Sequence, residues 1–406
     1  MRSDVEGSSF SASDRRALAS IAMQFFLNGA AFASIVPRLP EIRERLEVGL
    51  DGLGLLLSLG LVVGTVGGWR SPSIIQRWGS RRALTVGAAV LIAGLPVVGI
   101  ATAPVVFVVA FGAMAFADGI VDVAMNLQGS ALSARRHAPV MNRLHGLWSL
   151  GTVAGGLVAA QAAASGISLR LHLAGVAAVL AAGLWFVGRG LLDDASLSRP
   201  GDAAAPEPAG ARQVVARLPL VFLALAGAAA ITVELVSSDW AAFRLSEDFG
   251  AAPGFAGLGF VAFTFGMTTG RLAGDAIAVR LGDDRLFDVS VTLVGFGLVG
   301  AAFLPNRWLV LVAYVVAGLG NATLFPKLYD DAAKVGRRPG VGLAWLRTGS
   351  SLTALAIPTL VGVLASTALS VGSATAIVTL PCVLALLVLS SRSRAQPAAR
   401  SGYRSA

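Results

Sequence analysis

The sequence predicts an all-α membrane protein of twelve transmembrane helices, arranged as two six-helix pseudo-symmetric bundles. Three observations carry that reading. Twelve apolar stretches recur along the 406 residues. Only 14% of the residues are charged, and the mean hydropathy is +0.74. A charged, Pro-rich segment at mid-chain divides the stretches six and six. A bilayer core about 30 Å thick needs about 20 apolar residues per helical crossing. In lipid the backbone must satisfy its own hydrogen bonds, so each stretch is expected to be a helix.

In order, the expected spans are 17–37, 50–70, 83–101, 104–130, 142–164 and 171–190, forming an N-terminal bundle over 17–190. The second set is 217–240, 253–275, 286–304, 308–328, 340–364 and 370–390, forming a C-terminal bundle over 217–390. Between them, 191–216 combines Pro, Ala and both charges without apolar periodicity, which predicts a flexible linker. Residues 1–16 and 391–406 read as polar tails. The N-terminal tail lacks a basic region running directly into an apolar core, so the first span is expected to be retained rather than cleaved. The single cysteine, Cys382, excludes an intramolecular disulfide,.

The net charge of +9 would suggest nucleic acid in a soluble chain, but its distribution reports topology instead. With the N-terminus placed in the cytoplasm, 24 of the 32 Lys and Arg residues fall in cytoplasmic segments. Six fall in external connections: Arg38, Arg43, Arg45, Arg170, Arg244 and Arg307. Such a bias in short loops predicts cytoplasmic termini in a cell (inner) membrane and contact with anionic lipid headgroups. A nucleic-acid partner is not implied.

The halves repeat. Arg77-Trp78-Gly79 between the second and third spans matches Arg280-Leu281-Gly282 between the eighth and ninth, 203 residues on. The same offset carries Asp118 onto Asn321, and Leu144 onto Arg347. Paired six-helix repeats are the expected frame of a rocker-type transporter with solute bound between the halves.

On these residues the chain resembles a major facilitator superfamily permease. The family's loop signature, Gly-x-x-x-Asp-Arg-x-Gly-Arg-Arg, is similar to Pro72 through Arg82 here, with Gln76 in the acid's place. Its second copy is similar to Gly270-Arg271-Leu272-Ala273-Gly274-Asp275 followed by Arg280. Gly151, Gly155 and Gly156 resemble the family's glycine-rich fifth helix. Asp118, Asp122 and Asn126, with Gly318 through Pro326, are similar to the fucose permease-like sugar–proton symporter branch. The resemblance implies the major facilitator fold, a small-molecule substrate, protons as coupling ion and a monomer. It also implies gating loops at Arg77, Gly79, Arg271, Asp275, Arg280 and Gly282.

The residues themselves point to a site. Asp118, Asp122 and Asn126 stand at i, i+4 and i+8, on one helix face. An acid at membrane depth costs about 2.5–3.5 kcal/mol on insertion scales, so it belongs with a wet cavity or a partner. Two readings stand: proton or solute chemistry, and a structural hydrogen-bond ladder between helices. Glu234 lies deep in the seventh span, a carboxylate for proton or solute or one paired with an intramembrane base. Asp239 and Trp240 read as an interfacial end with an aromatic anchor. Gln24 and Asn28 share a face of the first span. Their amides suit a polar solute or act as helix glue. Arg347 lies inside the eleventh span, placed to neutralise an acid or bind an anionic group. Arg271 is expected to pair with Asp275 one turn away. His145 and Trp148 open the fifth span, a proton relay or an interfacial pair.

Neither a nucleophile elbow nor a zinc-protease motif nor a phosphate loop occurs in the sequence,. No enzyme activity, cofactor or metal is therefore expected. The function expected is secondary transport of a small polar solute, sugar-like, by proton symport. Proton-antiport efflux of an amphipathic compound, and a non-transporting sensor or scaffold, stand as alternatives.

Overall fold

The computed structural model of the chain describes residues 11–136, 140–194, 217–335 and 341–394. The described residues are helical throughout, joined by short turns. The first half holds α1 (Ala12–Ala33), a 3-10 turn (Val36–Arg38), α2 (Leu39–Arg45), α3 (Leu50–Trp78) and α4 (Ser80–Ile100). It continues with α5 (Pro104–Arg136), α6 (Met141–Ala164) and α7 (Leu169–Gly190). The second half holds α8 (Arg217–Asp239), α9 (Ala241–Phe249), α10 (Pro253–Leu281) and α11 (Asp283–Phe303). It ends with α12 (Arg307–Asn321), α13 (Leu324–Lys334), α14 (Val341–Ala365) and α15 (Val371–Arg394).

All twelve expected spans are present as long helices, and the chain is a multi-pass membrane protein. Eleven reach both the length and the hydropathy of a membrane crossing among the described residues. The twelfth, α10, has 29 residues, about 43 Å at 1.5 Å per residue, and glycines and threonines dilute its hydropathy,. The tenth span, α12, turns at Ala322–Thr323 and continues as α13.

Local chemistry sets the boundaries. α1 starts earlier than its apolar stretch because Ser11 and Asp14 form a capping box, with Asp14 N donating to Ser11 Oγ at 3.0 Å,. Arg135 at the end of α5 holds the same Asp14 at 2.8 Å. α3 and α10 run past their apolar cores and stop at Gly79 and Gly282. Both glycines have φ of 80°, a conformation that side chains resist, so each pair of helices is joined by a one-residue turn,.

The chain forms two compact units, and they do not follow the division at the linker. One comprises the described residues of Met1–Ile35, Gly60–Gly155 and Ser168–Gly210. Within it, α4 packs on α5 and α7. The α1–α6 contact is backbone to backbone: a methyl group on Gly29 would collide with the Trp148 carbonyl, and one on Gly151 with that of Phe26. Glycines at helix contacts are how membrane helices approach closely without a water-driven hydrophobic effect.

The other unit comprises 36–59, 156–167 and the described residues from 217 onward. Its core joins α8 to α14, α10 to α12, and α11 to α12 and α15. Gly227 and Gly349 set the α8–α14 contact against the carbonyls of Leu346 and Ala224. The start of α3 also packs here: Thr359 Oγ1 donates to Ser58 Oγ at 2.8 Å, and Asp51 N to Ser366 Oγ at 3.0 Å.

Two expectations need correction. Trp240 is 1% exposed and packs against Phe243 at 5.3 Å, so it is a core residue and not an interfacial anchor. The connections carrying Arg38 and Arg244 are not simple loops, since both guanidiniums are buried. Arg244 donates to the carbonyls of Ala301 and Ala302 at the end of α11 and to Asp248 at 2.8 Å. Asp248 in turn accepts from Val371 N and Gly372 N at the start of α15. Cation on carbonyls and carboxylate on amides answer the unpaired groups of two helix ends.

The first four residues of the expected linker are among the described ones. Leu191 and Leu192 are buried, and Asp194 Oδ1 accepts from Ser80 N at 2.6 Å. The remainder of the expected linker, 195–216, lies outside the described residues, as do 1–10 and 395–406 of the tails.

Candidate functional site

Each half brings one acid and one amide together between two helices. In the first, Asn28 Nδ2 on α1 donates to Asp118 Oδ1 on α5 at 3.0 Å. In the second, Asn321 Nδ2 on α12 donates to Glu234 Oε2 on α8 at 3.1 Å. Asp118 and Asn321 are 203 residues apart, and Asn28 and Glu234 are 206 apart, within one turn of the same offset. The acid and the amide have exchanged helices between the halves.

The surroundings differ. Asn321 is 1% exposed, its Nδ2 also reaches Met267 Sδ at 3.7 Å, and its Oδ1 has no hydrogen-bond partner. Glu234 Oε1 faces Arg271 Nη2 at 4.0 Å. Asp118 has no cation within ion-pair distance among the described residues. Gln24, 2% exposed and one turn before Asn28, keeps Oε1 without a hydrogen bond. Buried acceptors without donors are uncommon in folded proteins and mark places where a water or solute can bind.

The other candidates separate from these pairs. Asp122 is exposed and accepts from Asn126 Nδ2 at 3.0 Å, so the expected three-residue face is split between two hydrogen bonds. Arg347 is exposed and makes no hydrogen bond or ion pair among the described residues. Asp275, the partner expected for Arg271, has a side chain outside the described residues; the Arg271 contact seen is with Glu234. Asp239 accepts from Ser238 Oγ at 2.8 Å. His145 sets its ring edge-on to Phe25, centroids 5.2 Å apart.

At the loop signatures the structure adds residues that spacing alone did not single out. Gln76 replaces the signature acid, and carboxylates arrive from the end of α7. Asp194 caps α4 through Ser80, and Asp193 Oδ1 accepts from Arg81 Nη1 at 2.6 Å. Buried Gln128 ties the arrangement together, donating to Ser80 Oγ at 2.8 Å and accepting from Leu192 N at 3.0 Å. The Asp193-Asp194 pair, directly after an apolar span, was the available signal. In the second half the acids are local: Lys327 on α13 bridges Asp284 at 3.1 Å and Asp331 at 2.6 Å. Arg77, Arg280 and Gly274 complete neither network among the described residues.

Comparison with solved structures decides the fold. The nucleoside transporter NupG superposes with a TM-score of 0.70 at 13% identity, over 95% of this chain and 99% of that one. The chain has the major facilitator fold. A bacterial homologue of the human lysosomal transporter Spinster, in an inward-facing and unoccupied conformation, gives 0.67 at 14% identity over 94% and 96%. Among curated proteins, an uncharacterised MFS-type transporter of Yersinia pestis is 27% identical over 351 residues, 85% of this chain and 88% of its own. Membrane protein MosC of Rhizobium meliloti is 28% identical over 331 residues, 78% and 76% of the two chains. No family model matches the chain. The chain is similar to these proteins over most of its length. In a major facilitator frame, the two acid–amide pairs sit on the first and fourth helices of their respective halves.

Proposed function

We propose that this chain is an MFS-type transporter that moves a small polar solute, sugar-like in its hydroxyl chemistry, by alternating access coupled to protons in symport. The observation that carries the reading is the exchanged acid–amide pair. An ionised carboxylate only accepts hydrogen bonds, whereas a protonated one also donates. An amide can turn either its N–H or its carbonyl to the same partner. Each pair is therefore a contact whose donor and acceptor roles change with one proton. Polyhydroxylated solutes offer both roles as well. Protonation of Asp118 would free an Asn28 N–H for solute, and release on the other side of the membrane would restore the pair.

Glu234, with Asn321 and Arg271, supplies a second polar cluster whose charge is balanced. Gln24 and Asn321 contribute unpaired carbonyl oxygens that accept solute hydroxyls. Arg347, exposed and without a partner among the described residues, offers a fork of donors for an anionic group,. The proposed orientation puts both termini in the cytoplasm of a cell membrane, following the positive-inside bias. A reporter fused after Leu169 that read cytoplasmic would overturn that orientation.

The test is a thermal-shift screen of the purified chain against sugars, nucleosides, amino acids and amphipathic drugs, then counterflow of any hit in proteoliposomes. A stabilising polyol that exchanges across the membrane, and accumulates on an inward proton gradient, is the expected result. Accumulation of an amphipathic cation on the opposite gradient would replace symport by efflux.

A further inference from the structure

Two cavities in the first unit meet end to end. One, of about 520 Å³, is a groove between α4 and α7, lined by residues such as Ala89 and Pro96 on one helix and Ala177 and Ala181 on the other. The second, of about 840 Å³, surrounds the one-residue turn from α3 to α4 and is lined by Arg77, Arg81 and Arg82 with Asp193 and Asp194. Thr85 and Gly188 line both, so the apolar groove opens into the basic pocket.

The charges in the pocket are unequally engaged. Asp194 is held by Ser80, while Asp193 and Arg81 hold each other. Arg77 and Arg82 are exposed and have neither a hydrogen bond nor an ion pair among the described residues. Two guanidiniums without a partner among the described residues, beside a bonded acid pair, present a local positive charge with bidentate donors, the chemistry that recognises phosphate. Beside Gly188, Arg189 stacks on the exposed Trp185, adding a third cation and an amphipathic ring of the kind enriched at membrane interfaces,.

The groove has the length of one leaflet. From Thr85 to Pro96 is eleven residues along α4, about 16 Å of helix,. Half of a bilayer core is about 15 Å. An apolar trough one leaflet deep, ending in the exposed arginines of the helix turn, matches one class of molecule in both parts.

We propose that this groove is a binding site for an anionic phospholipid, with its phosphate against Arg77 and Arg82 and an acyl chain along α4 and α7. The site depends only on membrane embedding, so it stands or falls apart from the solute and coupling assigned above. Bound lipid would brace the α3–α4 turn against the end of α7.

The test is native mass spectrometry of the delipidated full chain, offered phosphatidylglycerol or phosphatidylcholine of identical acyl composition. Wild type is expected to retain phosphatidylglycerol preferentially. Arg77→Gln with Arg82→Gln should lower that retention about tenfold or more, towards the phosphatidylcholine level. Ala89→Leu with Ala181→Leu, which fills the groove, should lower retention of both lipids. Equal retention of the two lipids by wild type, or undiminished phosphatidylglycerol in either double variant, would overturn the site. Should the variants not fold, wild type alone decides by thermal midpoint. Phosphatidylglycerol should raise it and inorganic phosphate should not. No rise with phosphatidylglycerol, or an equal rise with phosphate, rejects a lipid in the groove.

Discussion

In the first half the acid stands on α5 and the amide on α1; in the second the acid stands on α8, the counterpart of α1, and the amide on α12. The hydrogen bonds are nearly equal at 3.0 and 3.1 Å, yet the charges are treated differently. Glu234 faces Arg271, whereas Asp118 accepts from the amide of Asn28 and has no cation within ion-pair distance among the described residues. The comparison teaches that a duplicated frame can keep a contact while exchanging the residues that make it. An N–H···O bond is indifferent to which helix carries the donor. Electrostatics is not indifferent, because a counter-charge offsets part of the cost of burying a carboxylate.

The largest effect expected from that difference is at Asp118. Asp118→Asn preserves shape and hydrogen bonding but removes the titration. Accumulation of a solute identified by the screen on a pH gradient should fall to background, while counterflow persists within a few-fold. Proteoliposome uptake with and without the gradient checks this, and unimpaired accumulation would move coupling to Glu234 or reject it.

Glu234 should show itself in stability. Glu234→Ala removes the carboxylate that faces Arg271 and accepts from Asn321, at a cost of about 2–3 kcal/mol read from thermal or denaturant unfolding in detergent. Glu234→Ala with Arg271→Ala should recover part of that loss, a coupling of at least about 0.5 kcal/mol. Simple additivity of the two changes would mean that the 4.0 Å contact carries no energy.

A smaller effect is expected from making one half resemble the other. Asn28→Asp combined with Asp118→Asn restores an acid–amide pair in the order of the second half. The exchanged protein should fold within about 1 kcal/mol of wild type, and Asn28→Asp alone, which sets two acids against each other, should cost more than the pair. A pair less stable than both singles would show that helix identity matters beyond the hydrogen bond. The smallest effect belongs to Arg347→Gln, which breaks no contact among the described residues and should shift unfolding by no more than about 0.5 kcal/mol,. A loss as large as that at Glu234 would place Arg347 in an interaction beyond those described.

Much of the frame was legible because membrane helices announce themselves by length and hydropathy. The turn glycines were legible too, since Gly79 and Gly282 repeat at one offset. The start of α1 was missed at Ser11 because a capping box is a local hydrogen-bond pattern that an apolar window does not register,. Arg38 and Arg244 were missed as core residues because charge counting treats every loop cation as solvated. Trp240 was taken for an anchor because a tryptophan at a span end looks the same whether it faces lipid or protein.

By itself the sequence determined the all-helical membrane architecture, the repeated turn motif and the place of Asp118, Glu234, Asn28 and Asn321 along their helices. Those properties depend on composition and on position along a helix of known rise. Which groups touch was decided only by the tertiary structure. The pairing of Asn28 with Asp118 joins residues 90 apart, and that of Asn321 with Glu234 residues 87 apart. The same holds for Asp194 on Ser80 and for Arg271 on Glu234. Each contact depends on the rotation and spacing of two packed helices, and small residues such as Gly29, Gly151, Gly227 and Gly349 set that spacing through contacts made in three dimensions,.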